Sequence, residues 1–450
     1  MNRVVYRLLW LSDRAQRWLT ARLTPAGLAL LVGLFAFGLV GIDLRRSIAY
    51  QVFAFLLAVL GVSAVLSRFN RSRFGVVRKL PRFGTVGVPL RYRVAIANRR
   101  KDGRFFRGEA RPTQDGLTLI ESFSESFPSY RTFRRMLRRS RDRRDWLAQM
   151  EKRRWAIAPA VDLPTVGGQA ETEVSVEVLP LRRGLLKFRT LTLACPDPLG
   201  LVNRCFSFSL PQSVLVLPQR YEVGAIALPG SRRYQSDGLA LAASVGDSEE
   251  FRALREYRPG DSPRKIHWKS WAKLGKPVIR EEQAEYSVRH ALVLDTFQAE
   301  DFSEALEAAV AIATSFACTI QTQEALLDTV FVGGEARCFT TGAGFGQTEQ
   351  LLELLASVVP CQDKGFDTLL PVVRSRLSLL SGCICVLLNW DSDRQALVEQ
   401  LQAAGVPVMV LIVAAQEDLL EQPDTGCLRD RRSCIKVLDI NNIQAELLSL

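Results

Sequence analysis

Hydrophobic positions divide the chain into three textures. Two uncharged apolar runs, residues 25–42 and 48–66, come first. At about 1.5 Å of helical rise per residue, each approaches the roughly 20 residues that cover about 30 Å of hydrocarbon. Only Asp43-Leu44-Arg45-Arg46-Ser47 separates them, which predicts a tight antiparallel transmembrane hairpin. Ala29 and Gly33, four residues apart, supply a small-residue face for close packing. A cleavable signal sequence is the rival reading of the first run. It lacks a small-x-small site, and a second apolar run follows at once.

From Gly75 the period shortens. Val76-Val77, Val86-Gly87-Val88 and Leu90-Arg91-Tyr92-Arg93-Val94-Ala95-Ile96 are β-branched or alternating, with Pro81 and Pro89 as punctuation. Residues 171–216 continue the pattern, most cleanly in Glu173-Val174-Ser175-Val176-Glu177-Val178. An antiparallel, sandwich-like β domain over residues 75–230 is expected, interrupted by an Arg-rich insertion at 99–160.

After about His290, apolar strands alternate with amphipathic helices. Strands are expected at 291–295, 325–332, 383–388, 406–413 and 434–440, and helices at 302–321, 347–359, 369–380 and 393–404. That order predicts a Rossmann-type α/β domain over residues 286–450, with a parallel sheet covered on both faces. Ligands of such sheets sit beyond the carboxyl ends of the strands, which singles out Asp295.

Charge adds an orientation. The net charge is +12, but residues 1–160 hold 32 Lys and Arg against 10 Asp and Glu, while residues 161–450 hold 27 against 37. Arg3, Arg7, Arg14, Arg17 and Arg22 precede the first run, and Arg68, Arg71, Arg73, Arg78 and Lys79 follow the second. Ten cations outvote Arg45 and Arg46 in the turn, so both flanks are expected in the cytoplasm. Trp10 and Trp18 fit the inner interface. Residues 1–24 then form a basic cytoplasmic N-terminus and 25–66 the two spans.

Within the insertion, Arg131, Arg134, Arg135, Arg138, Arg139, Arg141, Arg143, Arg144, Lys152, Arg153 and Arg154 interleave with Phe133, Met136, Leu137, Trp146, Leu147 and Met150. Three readings fit this stripe: a solvated basic helix covering the β domain, a helix on an anionic lipid surface, or a nucleic-acid contact. No nucleic-acid motif accompanies the charge, so the last is the weakest. All nine cysteines lie at or after Cys195 without zinc or redox spacing, and read as small core residues in a reducing compartment.

The α/β domain invites comparison with the von Willebrand factor A fold, whose metal loop reads Asp-x-Ser-x-Ser because a hard cation needs several oxygens. Here the loop is Asp295-Thr296-Phe297-Gln298-Ala299, and neither Phe297 nor Ala299 has a side-chain oxygen. Thr340, Thr341 and Asp391 remain as distant ligand candidates, but no metal and no cofactor are expected at this degenerate site. The two histidines, His267 and His290, form no cluster, Ser244 and Ser248 lack a nucleophile elbow, and Thr341-Gly342-Ala343-Gly344-Phe345-Gly346 is not a P-loop.

Residues 240–285 carry the most specific run. Arg255-Glu256-Tyr257 reads as the end of an extended piece and Pro259-Gly260-Asp261 as a turn. Asp261 or Ser262 is the expected helix cap, and Arg264, Lys265, His267, Trp268, Lys269 and Lys273 fall on a short basic helix ended by Gly275. Arg255-Glu256-Tyr257, Pro259-Gly260-Asp261, Arg264, Ile266 and Trp268 closely resemble the signature of a bacterial family called domain of unknown function 58. Arg183-Gly184, Asp197-Pro198-Leu199-Gly200-Leu201 and the Val214-Leu215-Val216-Leu217-Pro218 strand resemble further family features.

The resemblance implies a two-pass protein of the bacterial inner (plasma) membrane with its bulk in the cytoplasm. It also implies a degenerate von Willebrand factor A-like domain and a protein partner of the MoxR-type AAA+ ATPase class. An adaptor or assembly factor is expected, not an enzyme, with Arg255, Tyr257, Pro259, Gly260, Asp261, Arg264, Ile266 and Trp268 as the partner-binding signature. Two alternatives stay open: a metal-dependent or carboxylate-based hydrolase working at Asp295, and a signature that merely packs into an internal corner.

Overall fold

The computed structural model of the protein describes residues 2–40, 47–69, 74–98, 116–124, 130, 133–134, 150, 153–166, 171–224, 251–258, 263, 266–282, 289–300, 302–321, 326–333, 336–342, 345–414 and 434–449. Two compact units make up the chain: residues 1–219 with 353–357, and residues 220–352 with 358–450.

The first unit begins with three helices, α1 (Asn2–Arg22), α2 (Pro25–Val40) and α3 (Ser47–Phe69). Pro25 restarts the helix at its first position, and the Thr24 hydroxyl caps it by accepting the Gly27 N–H at 3.1 Å. Among the described helices one, Ile48–Arg68, is long and apolar enough to cross a membrane, while Pro25–Leu39 is apolar but shorter. Two full spans were expected, and one meets the length. The connecting residues Asp43, Leu44, Arg45 and Arg46 lie outside the described residues.

Helices α2 and α3 pack closely. A Cβ on Gly38 would stand 3.3 Å from the Phe53 ring, and one on Gly33 would stand 3.8 Å from Leu56. Because 33 faces 56 and 38 faces 53, the pair runs antiparallel. Ala29 is exposed, so the close face is Gly33 with Gly38 and not Ala29 with Gly33.

One turn holds the near ends of both helices. Asp197 follows strand β8 (Gly184–Pro196), and its Oδ1 accepts the N–H groups of Leu201 at 2.8 Å and Val202 at 2.9 Å. Its Oδ2 accepts the Leu199 N–H at 3.2 Å and the hydroxyl of Ser63, a fully buried polar residue of α3, at 2.7 Å. The Thr24 hydroxyl donates to the Gly200 carbonyl at 2.6 Å, and a Cβ on Gly27 would lie 2.0 Å from the Leu201 oxygen, so only glycine permits this approach. Arg204 donates to the Ser67 carbonyl at 3.3 Å and so satisfies an orphan group at the end of α3.

Burial alone would raise the Asp197 pKa, but the bonds from Val202, Ser63, Leu201 and Leu199 outweigh it and hold the carboxyl below its ordinary range. The stabilisation is therefore complete above the unfolded pKa of about 3.9 and is lost as pH falls through the lower folded value. Asp197→Asn should cost about 1.5–3 kcal/mol at neutral pH. It should also flatten the acid limb of the thermal-unfolding midpoint measured on the detergent-solubilised chain.

The β domain consists of two sheets around one core. The first has the order β1 (Phe74–Lys79), β3 (Leu90–Asn98), β7 (Glu171–Pro180), β5 (Ala156–Ile157). The second has the order β2 (Phe83–Thr85), β9 (Asn203–Leu217), β8, β4 (Thr118–Phe123), β6 (Val161–Asp162). Alternation fixes the register. Tyr92, Val94 and Ile96 point inward against Val176, Val178, Leu119, Phe188, Leu191 and Leu193, while outward Arg91 pairs with Glu177 across the strand at 2.7 Å.

The insertion expected at 99–160 is not one block: β4 lies inside it as a sheet member, with Leu117 and Leu119 fully buried. Phe133 is also fully buried, against Tyr6 of α1 at 5.2 Å between rings. Of the expected basic stripe, Arg134, Arg153 and Arg154 are described, and Arg131, Arg135, Arg138, Arg139, Arg141, Arg143, Arg144 and Lys152 lie outside the described residues.

The second unit contains a six-stranded sheet of order β14 (Ala336–Thr341), β13 (Leu326–Val332), β12 (Arg289–Leu294), β15 (Gly382–Leu387), β16 (Val408–Ala414), β17 (Cys434–Asp439). All neighbours are parallel except β13 and β14. The expected fully parallel sheet thus carries one antiparallel edge strand, β14, that the apolar pattern did not reveal. Strands β12, β15 and β16 are buried almost throughout, as both-face coverage requires.

Candidate functional site

Two places in the second unit concentrate functional groups. The first is the switch point of the large sheet, where the chain leaves β12 and the strand order reverses between β12 and β15. Asp295 stands there with no exposed surface. Its backbone N–H donates to the Val386 carbonyl at 2.9 Å. Its Oδ1 accepts the Phe297 N–H at 3.0 Å, and its Oδ2 accepts the Leu388 N–H at 3.0 Å and Arg394 Nε at 2.7 Å.

Arg394 sits in the first turn of a helix (Ser392–Ala403) whose N-cap, Asp391, accepts the Arg394 N–H at 3.1 Å and pairs with its guanidinium. The guanidinium also lies over the Phe366 ring, 4.7 Å from the centroid. One cation is thereby shared between Asp295 and Asp391, the two carboxylates that the sequence offered as ligand candidates.

These residues do not fit a divalent cation. Both oxygens of Asp295 already accept donors, and the positive charge of Arg394 lies beside them. The Phe297 ring turns into the core against Phe366 at 5.5 Å. Thr340 and Thr341, expected as distant ligands, belong elsewhere: Thr340 donates to Asp328 at 2.6 Å and Thr341 to the Leu327 carbonyl at 3.3 Å.

Asp328 is itself held by Arg289 at 2.9 Å and Arg376 at 3.1 Å. Burial would raise its pKa, but the bonds from Arg289 and Thr340 and the nearby charges lower it. Among the described residues no cluster of three or more His, Cys, Asp or Glu is placed to hold a metal. Cys383 and Cys385 are buried in β15 with their sulfurs 3.7 Å apart, and that contact together with burial keeps the Cys383 thiol protonated.

The second place is the signature segment. Strands β10 (Phe251–Glu256) and β11 (Val278–Glu282) form their own antiparallel pair, with Arg255 opposite Ile279. Tyr257 extends it by donating its N–H to the Pro277 carbonyl at 2.9 Å, and Ile266 bridges to Ile279. The basic helix is shorter than expected, Trp268–Leu274. His267 caps it, its Nδ1 accepting the Ser270 N–H at 3.3 Å, and Gly275 ends it at φ +70°. Pro259, Gly260, Asp261 and Arg264 lie outside the described residues.

The internal-corner alternative does not hold for Trp268, whose residue surface is 64% exposed. Its ring stacks on Trp271, three residues on, with centroids 5.1 Å apart and planes 19° from parallel. Leu274 is exposed beside them, and Lys269, Lys273 and Lys276 are exposed as well. The exposed Trp268 indole is thus rimmed by ammonium groups, with Trp271 half-buried beneath it.

Residues 253–404, which span both places, match the family described as Protein of unknown function DUF58. An uncharacterized protein of Bacillus subtilis (strain 168), YeaD, is 25% identical over 187 residues, 41% of this chain. The chain spans 45% of that curated relative's length. Among solved structures, the CARDB domain of a Pyrococcus furiosus protein, crystallised with di-metal ions, is 12% identical over 33% of this chain and 96% of its own, with a TM-score of 0.18. An aerotolerance-related membrane protein from Bacteroides fragilis NCTC 9343 is 14% identical over 36% and 87%, with a TM-score of 0.23. At such scores neither structure bears on fold or function.

Proposed function

From the match of residues 253–404 to the DUF58 family, we propose that this chain is a membrane-anchored adaptor docking a cytoplasmic protein partner on its signature helix. The observation that carries the proposal is the exposed Trp268, stacked on half-buried Trp271, with its lysine rim. Its positive rim selects an acidic, apolar-centred surface, and a MoxR-type AAA+ ATPase is the partner class we assign. The strand order with one antiparallel edge supports a von Willebrand factor A-like second unit, one that works without the cation because Arg394 takes its place.

The anchor is α2 with α3, acting as a two-pass hairpin in the inner membrane. Support comes from their antiparallel packing and from the Asp197 turn, which gathers the start of α2 and the end of α3 at one end. The many cations before α2 favour the cytoplasm for that end.

The test is co-purification of the detergent-solubilised chain with a co-expressed MoxR-type ATPase. Trp268→Ala should weaken association by about 2 kcal/mol or more, roughly thirtyfold, with no change in thermal midpoint. Full retention of the ATPase by the variant would remove the signature helix as the docking surface.

A further inference from the structure

Helix α1 carries a feature that neither the anchor nor the adaptor uses. Its Leu8, Leu11, Ala15 and Trp18 share one stripe, by spacings of three, four and three residues. Leu8, Leu11 and Trp18 are 60%, 53% and 56% exposed, in a helix whose other side is held by protein at Tyr6 and Ala21. On that held side Tyr6 packs on Phe133 and Tyr130, and the Ala21 carbonyl accepts from Cys205 Sγ at 3.3 Å.

Arg3, Arg7 and Arg14 are exposed along one edge of the stripe, and exposed Arg22 continues it four residues after Trp18. Arg22 lies over the Trp18 ring at 5.2 Å and Arg14 over Trp10 at 5.4 Å. The helix has a single acidic residue, Asp13. Only Leu23 and Thr24 separate its end from the first residue of α2.

We propose that α1 lies in the headgroup region of the anionic cytoplasmic leaflet, with Leu8, Leu11 and Trp18 in the acyl boundary and the arginines on phosphate. This rests on the α2–α3 hairpin proposed above. The connection supplies the reason for choosing lipid over a protein partner. A helix that ends two residues before a span has its C-terminal turn at the membrane surface. The stripe flanked by arginines and indoles is the composition such a surface retains. At about 1.5 Å per residue the 21-residue helix extends roughly 30 Å, enough to fix the β domain against rotation about the span. Two signals, span and in-plane helix, then anchor one chain.

The test uses the full chain in nanodiscs of phosphatidylcholine, with or without phosphatidylglycerol. The photocrosslinker benzoylphenylalanine is placed singly at Leu11, at Trp18, at exposed Thr20 on the other side of α1, and at exposed Phe55 of α3. Lipid adducts at Phe55, Leu11 and Trp18, but not at Thr20, are expected. Phosphatidylglycerol should raise the yield on α1. Arg7→Gln and Arg14→Gln should each reduce that preference roughly fivefold while sparing Phe55. Lipid adducts at Phe55 together with none, or only protein adducts, at Leu11 and Trp18 would overturn the in-plane helix and leave the hairpin standing. Absence of lipid adducts at Phe55 would overturn the hairpin, and the proposal with it.

Discussion

Arg394→Ala should destabilise the second unit by about 3–5 kcal/mol, because it strips the paired guanidinium from a carboxylate with no access to water. The loss is local at first. Asp295 ties the end of β12 to the Leu388 N–H that follows β15, so amide exchange at residues 289–294 and 382–387 should rise before the rest of the sheet. Arg394→Met, which keeps an apolar stem over Phe366, should recover little, since charge and not packing is what Asp295 loses. Combining Arg394→Met with Asp295→Asn should be milder than Arg394→Met alone, because the double variant leaves no buried charge unpaired. If the single and double variants prove equally destabilised, Arg394 contributes packing only. Mg²⁺ should leave the wild-type chain unchanged in the same measurement, because the guanidinium already satisfies the site.

Nothing local in the sequence announces this pair, whose members are 99 residues apart. That Phe297 and Ala299 bring no side-chain oxygen to the loop after Asp295 was legible, yet the arginine that pairs with Asp295 was not. Sheet members with strong periodicity were legible for the same reason that they are stable: β7 alternates on a half-buried face, and β15 and β16 are continuous apolar runs.

Strand β14, Ala-Arg-Cys-Phe-Thr-Thr, has no such period and is made a strand by its antiparallel partner. Strand β4 was hidden because arginine-dense sequence surrounds it. Trp268 shows the converse limit, since an indole at helical spacing looks like core until its exposure is known. The Asp197 turn could be read as an Asx-type turn, but its grip on Ser63 and on the start of α2 is set by tertiary contact.

Arg78 was legible only as one of the cations following the second apolar run, and in the folded β domain it points inward. Its guanidinium makes a two-pronged pair with Glu121, Nε to Oε1 at 3.0 Å and Nη2 to Oε2 at 2.8 Å, joining β1 of one sheet to β4 of the other. Tyr92 donates to the same carboxylate at 2.9 Å, and Arg78 also donates to the Leu210 carbonyl at 3.0 Å. Burial pushes the Glu121 carboxyl above its ordinary range, against the pull of Arg78 and Tyr92. An arginine cannot shed its charge, whereas a buried glutamate can take up a proton.

The two deletions should therefore differ. Glu121→Leu leaves an ionised guanidinium in the core and should cost about 3–5 kcal/mol at every pH where the protein folds. Arg78→Met should cost about as much at neutral pH but recover on acidification. In that variant the folded pKa of Glu121 stays above the unfolded value of about 4.3, so its stabilising term is full below that value and is lost as pH rises through the folded pKa. Thermal midpoints of the two variants, measured from pH 7 downward against the wild-type chain, should converge on wild type for Arg78→Met only. Parallel pH profiles would mean that Glu121 stays ionised without its arginine, and that water reaches the space between the sheets.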